Sequence, residues 1–374
     1  MIIYIDKSIA KHGDFTDDEE VMFTALACAH RKGDCYLCGA DESIKRLKDS
    51  FGIYGKGIGT QHAEEGALID AVETLIVITY DESPVLPQRI RNKPSKDVRI
   101  IPIAQAVKYR LSEPCILLGE SLYDCDFYRL VMRWYMHSIR KSIKGVWPQL
   151  VDEQGNGEST NKSLEKCVDA NHNLTICLTD SDKKYDCSPQ YGAPPATGKT
   201  MRDLKQSEDN LLGAGLGVLF ELYCLDVHEA ENLIPFCVLD DIAKDTVREM
   251  APGITYLRKL QKAGLTDAIL LYDFKKGNNI GTIRKDIEDK GKTEKRPVLA
   301  YWEIIAHEIG DESAPSLNKN VLSKAITQMQ QTGYVESDKF VLDDHLVGIW
   351  NDIGRKVFSW GCANMPNATK PAHC

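Results

Sequence analysis

What this chain of 374 residues lacks sets its first bounds. No stretch approaches the ~20 consecutive apolar residues that a membrane span needs, so no membrane partner is expected. The opening residues, MIIYIDKSIAKHGDF, carry acids early and hold one four-residue apolar run. That does not fit a secretory leader and points to a cytoplasmic chain. Internal repeats and low-complexity tracts are missing as well. Positive charge is not in excess: 46 basic residues stand against 55 acidic ones, a formal net charge of −9. This argues against a generic nucleic-acid coat, but not against an enzyme that concentrates carboxylates at a metal site and acts on nucleic acid. Hydrophobic residues at 43% and charged residues at 27% exclude collagen-like, disulfide-knot and wholly disordered chains.

Several familiar motifs begin and are not completed. His228-Glu229 and His307-Glu308 each start like a zinc-protease helix, and neither has a second histidine four residues on. His228 is expected as a strand-end structural histidine, with a place near a metal as the sharper option. Gly198-Lys199-Thr200 ends like a phosphate loop, but Ala193 stands where glycine is needed and Pro194 and Pro195 interrupt the loop. ATP binding is therefore not expected here, and an ATPase function would have to come from a partner. The alternating glycines Gly55, Gly57 and Gly59 lack the acid that follows in a dinucleotide fold and read as a turn.

Cysteine is plentiful, at twelve, but scattered, and reduced thiols are the default. Cys28, His30, Cys35 and Cys38 form the one dense group, crowded into eleven residues. Zinc would need one ligand pair well separated, so buried apolar thiols are the favoured reading over a zinc site.

The pattern along the chain alternates strand and helix. Residues 1–110 read as an α/β region, with strands at Ile2–Ile5 and Leu75–Thr79 and a helix from Asp17 to His30. Residues 82–97 hold three prolines and four basic residues and read as a linker; Arg89, Arg91, Lys93 and Lys96 are a weak nucleic-acid candidate. Continuous apolar runs at Cys115–Gly119 and Thr175–Thr179 fit strands buried on both faces, and Tyr223–Val227 a third strand. Between the first two, Phe127, Leu130, Val131 and Trp134 fall at helical spacing, and 152–163 read as a loop. The order implies an α/β fold, a parallel sheet flanked by helices over 111–275, followed by a mainly helical region at 276–374 with helices at 300–309 and 317–333. Trp350, Ile353, Val357, Phe358 and Trp360 are expected in the core. Residues 275–296 carry eight Lys or Arg against four acids, either a solvated helix face or a phosphate contact. Nearby Tyr272 and Phe274 either stack on bases or complete a core.

Each of the three strands of 111–275 ends in carboxylates. Ligands of open parallel sheets bind at the carboxyl ends of the strands, which would bring Glu120, Asp180, Asp182 and Glu231 together; Asp124 follows Glu120 by one helical turn. Such a group cannot stay ionised without a cation, and oxygen ligands favour Mg²⁺ or Mn²⁺.

These segments resemble the TOPRIM nucleases. Glu120 with Asp124 (LLGESLYDCDFY) looks like the first motif, TICLTDSD like the second, and VHEAENLIP is similar to the Glu-Asn element of some prokaryotic members, among them the overcoming-lysogenisation-defect nucleases and anti-phage defence effectors. The resemblance covers about a third of the chain, residues 113–235. It implies a TOPRIM-like sheet and a metal-dependent endonuclease of DNA or RNA. Glu120 would bind metal or move a proton, Asp180 and Asp182 would bind metal directly, and Asp124 and Glu231 would complete a second position. A downstream lysine, Lys276 or its neighbour Lys275, would meet the scissile phosphate. Expected partners are the nucleic acid, an ATPase or other defence-system protein, and a second copy of the chain. Ser121 departs from the family's glycine after the glutamate. The competing expectation is a non-catalytic regulatory or scaffold subunit.

Overall fold

The structure, a computed structural model, describes all residues except 53–61, 82–83, 85, 92–95, 141–142, 144, 186–197, 246, 332, 338 and 366–374. The glycine run at 55–59, Lys93 and prolines 189, 194 and 195 lie outside the described residues, as does the side chain of Arg89.

The strands in chain order are β1 (Ile2–Ile5), β2 (Tyr36–Gly39), β3 (Thr74–Thr79), β4 (Asp97–Pro102), β5 (Cys115–Gly119), β6 (Val146–Pro148), β7 (Leu150–Gln154), β8 (Thr175–Thr179), β9 (Phe220–Cys224) and β10 (Cys362–Asn364). They form two four-stranded sheets, ordered β2-β1-β3-β4 and β7-β5-β8-β9, and a small ribbon of β10 with β6. Both larger sheets are parallel throughout, and the ribbon is antiparallel. The fold is α/β, with parallel sheets flanked by helices. No helix among the described residues is long and apolar enough to cross a membrane.

The central strands follow from composition. CILLG and TICLT bury every residue, as a strand covered on both faces must. Two readings are corrected at the sheet edges. Residues 152–163 are not one loop: β7 supplies an edge strand whose polar LVDEQ is partly solvated, and a short helix follows at Thr160–Glu165. The third strand is Phe220–Cys224 rather than Tyr223–Val227. Its ladder stops where its partner stops, at Thr179 opposite Cys224, so Leu225 and Val227 are buried outside the sheet.

The helix predicted from Asp17 spans Asp17–Lys32, opened by a Thr16–Glu19 capping box and closed by left-handed Gly33. Leu122–Ile139 follows β5. The C-terminal region is helical at Ile280–Lys290, Arg296–Ile309, Val321–Met329 and Asp344–Gly361. The last of these is built into the rest of the molecule. Trp350, Ile353, Val357, Phe358 and Trp360 are fully buried as expected. Gly354 lies so close to Tyr135 that a Cβ would sit 2.5 Å from that residue's own Cβ.

Cys28, His30, Cys35 and Cys38 are not gathered into one ligand group. Among the described residues these four do not come close enough to share an ion. His30 Nδ1 accepts the Leu37 N–H at 3.0 Å, and Cys35 and Cys38 are core residues. Burial pushes the Cys35 thiol up to about 12.

Candidate active site

In the second sheet the chain leaves β5 outward to β7, then crosses back to β8 and β9 on the other side. The carboxyl ends of β5 and β8 therefore flank the topological switch point, where a crevice is unavoidable. Glu120 follows β5 and Asp180 follows β8.

Ser121 explains how the first turn closes without glycine. It takes an ordinary extended conformation (φ −134°) and caps Leu122–Ile139. Its hydroxyl accepts the Asp124 N–H at 3.3 Å, and Asp124 Oδ2 accepts the Ser121 N–H at 2.7 Å. That reciprocal pair aims Asp124 back at the strand end. Thr179, the last residue of β8, donates its hydroxyl to Glu120 Oε1 at 2.8 Å. Asp180 Oδ1 accepts the Ala230 N–H at 3.0 Å, tying the second strand end to the third segment.

Glu120, Asp124, Asp180 and Glu231 line one cavity of about 330 Å³, together with Lys275. Lys319, Asn320 and Ser323 close it from the start of Val321–Met329. Burial raises the affinity of all four acids for protons, and like charge adds to it. Asp180 is held well above the usual carboxylate range by burial and by Asp124, Glu120 and Glu231, with Lys275 opposing. Asp124 is pushed up to about 6, chiefly by burial. Lys275 Nζ stands 3.0 Å from both Glu229 Oε2 and Glu231 Oε1, which hold it cationic.

Two predicted residues fall elsewhere. Asp182 is exposed and in the left-handed region (φ 55°), and its carboxylate lies against Gly198. Its charge still reaches Glu120, but its side chain does not line the cavity. Lys276 lines a different cavity, so Lys275 is the lysine that meets the carboxylates. Gly198-Lys199-Thr200 opens a helix, and Lys199 pairs with exposed Glu158 at 2.7 Å. Tyr272 and Phe274 are core residues, not stacking platforms.

The Glu-Asn element does more positional work than its motif suggests. Asn232 Nδ2 donates to the carbonyls of Ile269 (2.7 Å) and Tyr272 (2.9 Å), and its Oδ1 accepts the Glu229 N–H at 2.9 Å. Glu229 Oε1 accepts the Phe274 N–H at 2.9 Å. Together they lash the third segment to the turn that presents Lys275. His228 lies beneath, with Nε2 3.7 Å from Asp273 Oδ2. His228, Glu229 and Asp273 offer ligand atoms within 4.8 Å of one another, a spacing compatible with a metal ion that the four cavity carboxylates do not reach among the described residues. Asp273 and Glu229 already accept backbone N–H groups, which accounts for that cluster as a brace for the turn.

Sequence reasoning did not anticipate Glu229 or Asp273 as bracing residues, nor Lys319, Asn320 and Ser323. Glu229 and Asp273 stood beside residues already singled out, whereas nothing local to 319–323 marks a site nearly two hundred residues from Glu120. The chemistry of the cavity donors fits a hard divalent cation: they are oxygen-only, mostly buried and mutually repelling, with Lys275 and Lys319 to offset them. No family model matches the chain, and no curated protein or solved structure matches it significantly.

Proposed function

We propose that this chain is a metal-dependent nuclease of TOPRIM type that hydrolyses phosphodiester bonds of DNA or RNA, serving as a prokaryotic anti-phage effector. One observation carries the reading: Glu120 and Asp124 after β5, Asp180 after β8 and Glu231 from the segment beyond β9 line one cavity at the switch point with Lys275 among them. The four acids would hold Mg²⁺ or Mn²⁺, which when bound supplies charge for the developing oxyanion and acidifies a water. Thr179 and the Ala230 N–H hold the carboxylates of Glu120 and Asp180, and the four acids would have to draw closer together to share an ion. Lys275, held by Glu229 and Glu231 at the edge of the carboxylates, would be the cation that meets a phosphate oxygen. Asp182 adds charge near Glu120 rather than direct ligation.

Purified protein with Mn²⁺ or Mg²⁺ is expected to nick plasmid or cut RNA, and Asp180→Ala to abolish it. Equal cleavage by that variant would overturn the mechanism. A scaffold reading draws on the Lys275 pairs, which neutralise Glu231 without any ion. Calorimetric titration with Mn²⁺ separates the two, because a scaffold has no saturable site that depends on Asp180.

A further inference from the structure

The Asp273–Gly277 turn presents two consecutive lysines to opposite sides. Lys275 meets Glu229 and Glu231, while Lys276 lines a second cavity of about 260 Å³. The turn between them is held in place. Gly277 has φ 70°, and a Cβ there would run into the Ala314 carbonyl oxygen. The Asn278 N–H donates to that same oxygen at 3.1 Å, and the Leu317 N–H donates to Phe274 O at 2.8 Å.

Cations reach the second cavity from three places. Lys276 comes from the turn, Lys295 from the segment before Arg296–Ile309, and Lys184 from the segment after β8. The buried Trp302 indole fixes Lys184 by donating to its carbonyl at 2.9 Å. Two carboxylates also line the space, and both are already answered. Asp286 is paired with Lys290 at 2.7 Å, with Lys292 at 3.8 Å and with Lys295. Asp273 accepts the Lys276 N–H at 2.7 Å and faces His228 and Lys184. Lys276 is left with no carboxylate partner among the described residues. In the same wall Asn278, 5% exposed, has an amide nitrogen without a hydrogen-bond partner. A buried donor left unpaired is costly, so the occupant that suits it is an acceptor. Helix Ile280–Lys290 also opens here, and its N-terminal dipole favours negative charge.

We infer that this second cavity binds a phosphate of the nucleic-acid strand, flanking the phosphate at the carboxylates, with the Asp273–Gly277 turn separating the two. The choice of a strand rests on the nuclease reading; the cavity's own chemistry asks for a phosphate group. The turn then sets the spacing between two phosphate positions, and Lys275 and Lys276 serve one each.

The test is binding, not cleavage. The full-length protein is titrated in Ca²⁺ with a short fluorescent single-stranded oligonucleotide across a range of salt. Lys276→Ala is expected to weaken binding about tenfold and to reduce the slope of log affinity against log salt by about one. Lys276→Arg should restore most of both, and Asn278→Asp, which sets a carboxylate in the wall, should weaken binding while Lys276→Ala leaves the melting temperature in place. Unchanged affinity and slope in Lys276→Ala, or no strand binding by the wild type, overturns the inference. In a second arm inorganic phosphate is the probe; Lys276-dependent binding of phosphate that the oligonucleotide does not displace would assign the cavity to a free phosphate compound and overturn the strand reading. Strand binding that depends on Lys276 in a protein that cuts nothing would sink the nuclease reading and leave this one standing.

Discussion

Asp124 performs two tasks at one position. It caps the helix that follows β5, and it contributes charge to the cavity. Its folded pKa, raised to about 6 from the ordinary carboxylate value, sets a sign for stability. The folded state favours its protonated form, so its contribution is fully present below about pH 4 and is lost as pH rises through about 6. Without divalent ions, Asp124→Asn, which can still cap, should therefore melt several degrees above the wild type at pH 8, and the two should converge near pH 4. Mn²⁺ should raise the wild-type melting temperature more than that of the variant. Thermal scans across pH with and without Mn²⁺ check both; a variant that melts no higher than wild type at pH 8 would remove burial strain at Asp124 from the account. Asn232 is the other residue whose chemistry is easily underrated. Asn232→Ala strips partners from two buried carbonyls and one N–H, an expected cost of about 2–4 kcal/mol by chemical denaturation.

At the scale of elements, the turn after β5 depends on Ser121. Ser121 is extended and its hydroxyl caps a helix, so no positive φ calls for glycine. Ser121→Ala should cost about 1 kcal/mol, and Ser121→Gly only a few tenths, measured by urea unfolding. The reverse ranking would mean that backbone freedom, rather than the cap, governs this turn. The β7 edge strand makes a related point. Its polar LVDEQ has no apolar run or strict alternation, and only its pairing with β5 makes it a strand.

At the scale of the whole molecule, helix Asp344–Gly361 bolts the two sheets together. Lys356 reaches Glu73, just before β3, at 2.8 Å and Glu221, on β9, at 2.6 Å. Trp360 Nε1 donates to Glu221 Oε2 at 2.7 Å, and the Ser359 hydroxyl accepts the Glu73 N–H at 2.7 Å. Further bonds cross the same junction: Tyr135 donates its hydroxyl to Ala71 O at 2.9 Å, and Arg99 reaches the carbonyls of Gly217 and Phe220. The two parallel sheets should therefore unfold in one transition. Lys356→Met removes the amine shared by two largely buried carboxylates, leaving Glu73 with Arg355 and Glu221 with Trp360, and is expected to cost about 1.5–3 kcal/mol. Differential scanning calorimetry would show a lowered transition, and a wild type with two well-separated transitions would contradict this coupling. The basic segment 275–296 also looks different in three dimensions. Asp286 absorbs three lysines and Arg284 pairs with Glu303 at 2.8 Å, so much of that charge is spent internally.

Short-range patterns by themselves determined the strands that are buried on both faces, the long helices and the carboxylates that end the strands. Their physical cause is local: continuous apolar runs, helical spacing and acids after a run all lie within a few residues of one another. Glu120, Asp124, Asp180 and Glu231 were legible for that reason. Tertiary structure alone decided which of these side chains share a cavity. Asp182 turns to Gly198, Lys275 faces the carboxylates and Lys276 a second cavity, and Lys319 arrives from the turn before a distant helix. Such choices depend on turn geometry and on packing between segments far apart in the chain. No local pattern records them, because a one-residue step at a turn reverses the side on which a side chain emerges.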